Sequence, residues 1–257
     1  MNTIIDFHFH SKITSSASFD SMEFLKKISE AKSQGLNALV LTEHCEAHDV
    51  LGAYAWLRHN FEYKSDCYEL RNELAGFKVF TGLEIKTRKG VDIIVVSGRD
   101  TIENLIQSVH ATNAKEKISL AQLNELCDKI KAESIIRILP HPFRVEQAIL
   151  NVDKRFFGEF DAVELNAKDL EKFGREKCMK DVEQLAKELR LSIVAGSDTH
   201  QFFQAGTIRN VFQGVCNNVT ELKQQIKQGN YEIKINLELE TRVRVAQYIK
   251  KIKTDKE

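Results

Sequence analysis

The chain has 257 residues, of which 42% are hydrophobic and 8% aromatic, and its 37 basic and 37 acidic side chains give a formal net charge of zero. This length is sufficient for one sizeable domain with a large core, and the balanced charge excludes a general attraction to nucleic acids or anionic membranes. No run approaches the ~20 apolar residues of a membrane span and no signal peptide precedes the first strand, so we expect a cytoplasmic protein without membrane contact.

Short apolar runs alternate with segments of helical periodicity along the chain. The runs occupy residues 4–8, 38–42, 78–85, 91–96, 135–139, 162–165 and 192–196, and each has the length of a strand that is buried on both faces. Helical periodicity appears at residues 21–34, 119–132 and 174–189. The alternation is typical of βα units around a parallel sheet. In the longest gap, residues 48–83, the mixture of aromatic and charged side chains indicates inserted helices.

The last fifty residues are less regular. Two further apolar runs, at 207–211 and 233–239, precede a basic segment in which charged and apolar side chains alternate, a pattern typical of an amphipathic surface element. We therefore divide the chain into a barrel at residues 1–205 and a C-terminal part at residues 206–257, which either completes the barrel or is appended to it.

Histidines and carboxylates recur where predicted strands end. They are His8 and His10 after the first strand, His44 after the second, Glu84 at the third, His141 in Leu-Pro-His-Pro, and Asp198 and His200 after the last clear strand. The two histidines of the first strand are two residues apart, so their side chains point to the same side. Because the carboxyl ends of barrel strands converge on one face, these seven side chains are predicted to meet there.

Such a cluster predicts a metal centre. Imidazoles and carboxylates crowded into one pocket suffer desolvation and mutual repulsion unless a divalent cation compensates them. Imidazole favours zinc, manganese or iron, and a carboxylate can bridge two ions. Because there are more ligands than one ion needs, we expect two to three divalent metal ions. Such a centre activates water and stabilises both oxygens of an in-line displacement at phosphorus.

The motifs that carry these residues resemble the PHP (polymerase and histidinol phosphatase) family of metal-dependent phosphoesterases. His-x-His, Thr-Glu-His, Gly-Leu-Glu, His-Pro-Phe and Gly-Ser-Asp-Thr-His occur in the family's order. The resemblance implies a distorted TIM-like (β/α)7 barrel with a three-metal site at the C-terminal ends of the strands. It implies a first ion on His8, His10, Glu84 and Asp198, a second on Glu84 and His141, and a third on His44 and His200.

Two positions of the family pattern are less direct. The family usually has a carboxylate or histidine soon after His-x-His, and Asp20 is the candidate here, although an Asp before a helix that starts at Ser21 can equally be its N-terminal cap. Asp92 stands where many members have a histidine on the strand after the glutamate. An aspartate there would change the metal preference or the occupancy of the three-metal site.

Four further residues are candidates for substrate binding or support. Arg144 follows the His-Pro-Phe motif and is predicted to bind a phosphate in a bidentate manner. Lys12, in the loop after His10, is a minor candidate for the same role. Glu164 and Asn166, at a strand end, match a stretch that lines the family's pocket, and we expect them to support a metal-bound histidine.

The leading hypothesis is a histidinol-phosphatase-like phosphoric ester hydrolase that acts on a phosphate monoester of a small molecule. Glu84 and Asp198 would hold the metal-bound water that attacks the phosphorus. The alternatives are a phosphodiesterase or exonuclease acting on short oligonucleotides or nucleotides, and a non-catalytic, metal-stabilised accessory protein. Neutral composition favours the small substrate over nucleic acid. An amidohydrolase barrel is disfavoured because these motifs contain no lysine that could bridge the metals.

Overall fold

The computed structural model describes residues 2–111, 117–144, 149 and 152–254. Within these ranges the strands are β1 (Thr3–Phe9), β2 (Ala38–Leu41), β3 (Glu62–Lys64), β4 (Cys67–Glu69), β5 (Lys78–Lys86), β6 (Asp92–Ser97), β7 (Ile135–Leu139), β8 (Ala162–Asn166), β9 (Ser192–Gly196), β10 (Ile208–Phe212) and β11 (Tyr231–Ile235). The helices are α1 (Ser21–Ser33), α2 (Gly52–Asn60), α3 (Arg99–Ala111), α4 (Leu120–Asp128), α5 (Ala167–Phe173), α6 (Arg175–Leu189), α7 (Val219–Gln228) and α8 (Leu239–Thr254). None of the helices in these ranges combines the length and apolar character that a membrane span needs.

The strands form a sheet that closes on itself almost completely. Its order is β11-β10-β1-β2-β5-β6-β7-β8-β9, with the β3–β4 hairpin attached to β5. Phe9 at the end of β1 pairs with Thr199 beyond β9, and the Asp198 amide donates to the His8 carbonyl at 2.9 Å. Seven strands therefore enclose a nearly closed barrel, and the predicted distorted TIM-like barrel is confirmed.

The expected all-parallel order is wrong at β6. Strands β1, β2 and β5 are parallel to one another, as are β7, β8 and β9, but β6 is antiparallel to both of its neighbours. The connection from β5 to β6 is too short for a crossover, so the chain turns back directly. As a result, Asp92 at the start of β6 pairs with Lys86 at the end of β5. This reversal brings Asp92 to the face where the other strands end.

The insertion between β2 and β5 contains more than helices. The expected helix is present as α2, but the antiparallel β3–β4 hairpin follows it and pairs with β5. The three-residue strands of the hairpin are too short to show alternating hydrophobicity in the sequence.

The barrel core is apolar and is closed at its amino-terminal end. Buried side chains from neighbouring strands, among them Phe7, Val40, Phe80 and Ile138, form one cluster with residues of α7. The Lys223 ammonium on α7 donates to the Ile135 carbonyl at the start of β7. Helix α7 therefore covers the amino-terminal end, which leaves the carboxyl-terminal end for the site.

Residues after 205 take part in the same sheet. Strand β10 pairs antiparallel with β1, and β11 pairs with β10. Asn210 on β10 is fully buried and joins the two ends of the barrel sheet. Its amide oxygen accepts from the Ala195 amide at 2.8 Å, and its amide nitrogen donates to the carbonyls of Ile5 and Ala195 at 3.0 and 2.9 Å. Whether residues 1–205 and 206–257 are separate units stays a prediction.

We predict that Asn210→Ala lowers the free energy of unfolding by about 2 kcal/mol, because it leaves buried polar groups of β1 and β9 without partners. Urea denaturation of the metal-free protein measures the change. Asn230→Ala, at an exposed position, is the control and should shift the stability by less than about 0.5 kcal/mol. Equal effects of the two substitutions would contradict the role of Asn210.

Candidate metal centre

The seven predicted ligands and Asp92 meet at the carboxyl-terminal end of the barrel. All are buried except His44, whose side chain is 27% exposed, and Asp92, which is partly buried. Backbone pairing positions His44: it forms a bridge with Glu84, and the Cys45 amide donates to the Glu84 carbonyl at 2.8 Å. The ligands are therefore held by the ends of the strands rather than by long loops.

Glu84 lies at the centre of the cluster. Its Oε2 atom is 3.2 Å from His8 Nε2, 3.3 Å from His10 Nε2 and 3.1 Å from His44 Nδ1. Its Oε1 atom is 2.9 Å from His141 Nε2. Burial alone would raise the pKa of Glu84, but the charges of His44 and His8 outweigh it and hold the pKa well below the usual range. The two oxygens of this ionised carboxylate face different imidazoles, so Glu84 would be able to hold two metal ions together.

Asp198 is the second central carboxylate. Its Oδ1 atom lies 3.5 Å from His10 Nε2 and 3.2 Å from His200 Nδ1. Burial would raise its pKa, but the charges of Lys168 and Arg144 lower it well below the ordinary value. The backbone of Asp198 is left-handed, with φ of 54°, and φ of His141 is 29°. Such conformations are uncommon outside glycine and concentrate at functional sites.

Ligand atoms from these residues form four groups, within each of which the atoms lie no more than 4.8 Å apart. The groups are His8, His10 and Asp198; Glu84, Asp92 and His141; His10, His44 and His200; and His8, His141 and Glu164. The first three contain residues that the family resemblance implies for the first, second and third ion. Asp92 joins the second group, and His10 joins the third.

The donor set fits divalent cations. The Nδ1 atom of His10 and the Oδ1 atom of Asp92 are buried and have no hydrogen-bond partner among the described residues, an arrangement that usually needs a ligand or ion to satisfy it. Burial lowers the pKa of His10 to about 4, so its imidazole is neutral and able to coordinate. Imidazole nitrogens mixed with carboxylates suit transition metals better than magnesium or calcium.

A second layer orients His8. Its Nδ1 atom lies 2.8 Å from Glu164 Oε1, which leaves Nε2 toward the other ligands. The other oxygen of Glu164 accepts from the His141 amide at 2.9 Å and from Asn166 Nδ2 at 3.1 Å. This is the arrangement in which a carboxylate fixes a metal-bound histidine. A Cβ atom at Gly196 would lie 1.9 Å from Glu164 Oε1, which explains the glycine in the last motif.

Arg144 lies beside the ligands, as predicted, but is engaged by carboxylates. Its Nη1 atom donates to Asp198 Oδ2 at 2.6 Å, Nε to Asp169 Oδ1 at 3.1 Å and Nη2 to Asn166 Oδ1 at 2.8 Å. Its side chain is 28% exposed. Arg144 can therefore meet a substrate only at the edge of the cluster, next to Asp198.

Lys12 and Asp20 are not brought to the ligands. Lys12 is buried, donates to the His48 carbonyl and lies 4.0 Å from Glu43, so its observed contacts hold the loop rather than a phosphate. Asp20 is exposed and caps α1 by accepting from the amides of Met22 and Glu23. Among the described residues it belongs to none of the ligand groups, and the observed geometry is that of the alternative, an N-terminal cap.

Sequence reasoning missed Lys168 and also Lys27, which supports the loop that contains His10. Lys168 Nζ lies 3.0 Å from Asp198 Oδ1 and 3.4 Å from His200 Nδ1. It follows β8 by two residues, so the same strand-end rule would have found it. Lys27 is buried and donates to the carbonyls of His10 and Ser11 at 3.3 and 2.7 Å. The sequence signal that could have identified Lys27 is the presence of a lysine on the otherwise apolar face of α1.

Comparisons with known proteins show the family and the fold of this chain. The model of the PHP domain matches residues 6–189, and no curated protein sequence matches significantly. The structure resembles PsfC from Pseudomonas syringae PB-5123, with 19% identity and a TM-score of 0.76 over 97% of this chain and 98% of that one. It also resembles the lesion-specific endonuclease PfuEndoQ from Pyrococcus furiosus, with 17% identity and a TM-score of 0.62 over 91% of this chain and 58% of that one. At these identities the structural likeness establishes the fold.

The site and the fold together define a metal-dependent hydrolase. Since the matched region covers most of the sequence, the chain belongs to the PHP domain family.

We predict that Asp20→Ala destabilises the protein by about 1 kcal/mol through loss of the α1 cap and leaves the metal content per chain unchanged. Thermal unfolding and inductively coupled plasma mass spectrometry measure the two effects. Asp20→Asn keeps a capping oxygen and should restore the stability. Loss of one metal equivalent in both variants would instead make Asp20 a ligand.

Proposed function

We propose that the protein is a metal-dependent phosphoesterase that hydrolyses a phosphate monoester of a small molecule. The observation that carries the proposal is the position of Glu84, whose two oxygens contact four imidazoles from three different strand ends. A bridging carboxylate inside a histidine cage suits a multinuclear site, and such sites catalyse displacement at phosphorus.

The proposal includes two to three ions, and the ligand groups support a place for each. His8, His10, Glu84 and Asp198 would hold the first, and Glu84, Asp92 and His141 the second. His44 and His200, with His10 beside them, would hold the third. When bound, zinc, manganese or iron would supply positive charge at the phosphate oxygens and lower the pKa of a water.

The chain's own cations complete the site. Arg144 and Lys168 both contact Asp198, so they flank the predicted position of the phosphate. Hydrogen bonds from a guanidinium or an ammonium to phosphate oxygens are charge-assisted and are strengthened as charge accumulates in the transition state. Glu164 contributes by holding His8, and Asn166 by bonding both Glu164 and Arg144.

A phosphodiester of a short oligonucleotide is the second candidate substrate. The observation that favours it is Tyr248, which is 66% exposed on the basic helix α8. Exposed aromatic rings beside cations are typical of single-strand binding surfaces.

We predict that Glu84→Gln lowers kcat at least about 1000-fold and reduces the metal content by one or more equivalents per chain, because the neutral amide cannot bridge two cations. Activity is measured on a panel of phosphomonoesters after reconstitution with zinc, manganese or iron. Glu62→Gln, at an exposed position of β3, should change neither quantity. An unchanged circular dichroism spectrum shows that the fold is retained, and full activity of Glu84→Gln would contradict the site.

Salt dependence separates the two substrate classes. For a small monoester we expect log(kcat/KM) to change only weakly between 50 and 200 mM salt, because few phosphate contacts release few counterions. For an oligonucleotide the loss should be about tenfold or more over the same range. Parallel titrations with a monoester and with a single-stranded decanucleotide measure both slopes. Turnover of the decanucleotide alone would replace the monoester proposal by the second candidate.

A further inference from the structure

Strand β11 forms an edge of the sheet, because it pairs with β10 alone. At the end of this pair the Asn236 amide donates to the Thr207 carbonyl at 2.9 Å, and hydrogen-bonded positions alternate along an antiparallel pair. The backbone amides and carbonyls of Tyr231, Ile233 and Ile235 therefore point away from β10. In the part of the chain that the structure describes, these outward groups have no hydrogen-bond partner.

The edge of β11 is suited to accept a further strand. Proteins commonly block an exposed edge with a proline, a bulge or an inward-pointing charge. The sequence of β11 is Tyr-Glu-Ile-Lys-Ile, which contains no proline, and its register with β10 runs without a shift from Tyr231 to Ile235. Its two charged residues have opposite signs and face away from the apolar side, so their positions decide which strand can pair.

The apolar side of β11 is only partly covered. Tyr231, Ile233 and Ile235 line a groove of about 410 Å³ together with Met179 and Val182 of α6. The three β11 side chains are half-buried, and Met179 is 37% exposed. A second row of apolar side chains beside this groove would remove more of this surface from water.

The charged side of β11 is complementary to itself. Glu232 and Lys234 are 75% and 52% exposed, and their side chains lie 3.5 Å apart. If two copies of β11 pair antiparallel about Ile233, Glu232 of each copy lies opposite the partner's Lys234. These are non-hydrogen-bonded positions of the new ladder, where opposite side chains approach most closely and unlike charges stabilise the pair.

The charges also exclude the neighbouring registers. Centring the pair on residue 232 would place Glu232 opposite the partner's Glu232, and centring it on residue 234 would place two lysines opposite each other. Like charges at directly opposite positions are destabilising. In the register centred on Ile233, by contrast, Tyr231 lies opposite the partner's Ile235, and an aromatic side chain opposite a β-branched one is favourable.

We propose that β11 is the interface of a homodimer, in which two copies of the chain pair antiparallel about Ile233 and continue the sheet across a two-fold axis. A second copy is the occupant because hydrogen-bonding groups, apolar side chains and charges of β11 all match their own two-fold image. The dimer does not depend on the proposed hydrolysis, since β11 contributes no ligand to the metal centre.

Sedimentation equilibrium of the metal-loaded full chain, over a series of micromolar concentrations, tests the dimer. The wild type should be dimeric, and Ile233→Pro should raise the Kd of the dimer at least about tenfold, because proline removes an outward amide at the centre of the interface. The chain's own pairing with β10 does not use this amide, so the fold should be retained. Circular dichroism and the metal content per chain check that it is.

A charge exchange tests the register. Glu232→Lys should raise the Kd about tenfold or more, because both unlike pairs become pairs of lysines. Adding Lys234→Glu to the same chain restores unlike charges at both positions and should restore the wild-type Kd, which excludes misfolding as the cause of the loss. Glu125→Lys is the matched control: Glu125 is exposed on α4 and lies 3.6 Å from Lys129, and its substitution should leave the Kd unchanged.

A wild type that stays monomeric at every concentration would overturn the dimer and leave the edge of β11 to a strand of another protein. A dimer that Ile233→Pro does not weaken would lie on a different surface. Equal losses in Glu232→Lys and Glu125→Lys would assign the effect to net charge, and failure of the double variant to recover would contradict the register centred on Ile233.

Discussion

The compensation of buried charge at the carboxyl-terminal end of the barrel governs the rest of this structure. Glu84 and Asp198 are almost fully buried, and carboxylates in such surroundings are stable only when charges or hydrogen bonds satisfy them. Imidazoles surround Glu84, and Arg144, Lys168 and His200 surround Asp198. The protein has thus assembled a polar interior at one end of a barrel whose other end is apolar, an arrangement that a purely structural core would not need.

The backbone conformation positions the side chains of this cluster. Left-handed conformations at His141 and Asp198 turn the chain at strand ends, and the reversed strand β6 delivers Asp92 from its beginning. Beneath the ligands, Ser11 donates to Glu43 through its amide at 2.5 Å and its hydroxyl at 2.6 Å, and Lys27 ties down the same loop. Rigid support of this kind keeps ligand atoms within the narrow range of positions that a metal site tolerates.

Much of this was predictable because strand ends and ligand chemistry are both local properties of the sequence. The predicted strands at 135–139 and 192–196 match β7 and β9, and the seven ligands meet as expected. The direction of β6 was not predictable from hydrophobicity, since an apolar run has the same pattern in either direction. Asp20 shows a second limit of prediction from sequence. An aspartate can serve as a helix cap or as a metal ligand, and only its position in space decides between the two roles. Contacts such as those of Asn210 with Ala195 and Ile5 join residues far apart in the sequence, so periodicity carries no record of them.

Asn210 links the C-terminal part of the chain to β1, which carries His8, and to β9, which precedes Asp198. Ile5 and Ala195, which the Asn210 side chain links, lie only a few residues before His8 and Asp198 on the same two strands. A fragment ending at residue 205 would lose this link, and the two strands would keep only the contacts close to the ligands, such as the hydrogen bond from the Asp198 amide to the His8 carbonyl. In the intact chain, the boundary of the PHP match at residue 189 is thus not the boundary of what preorganises the metal centre.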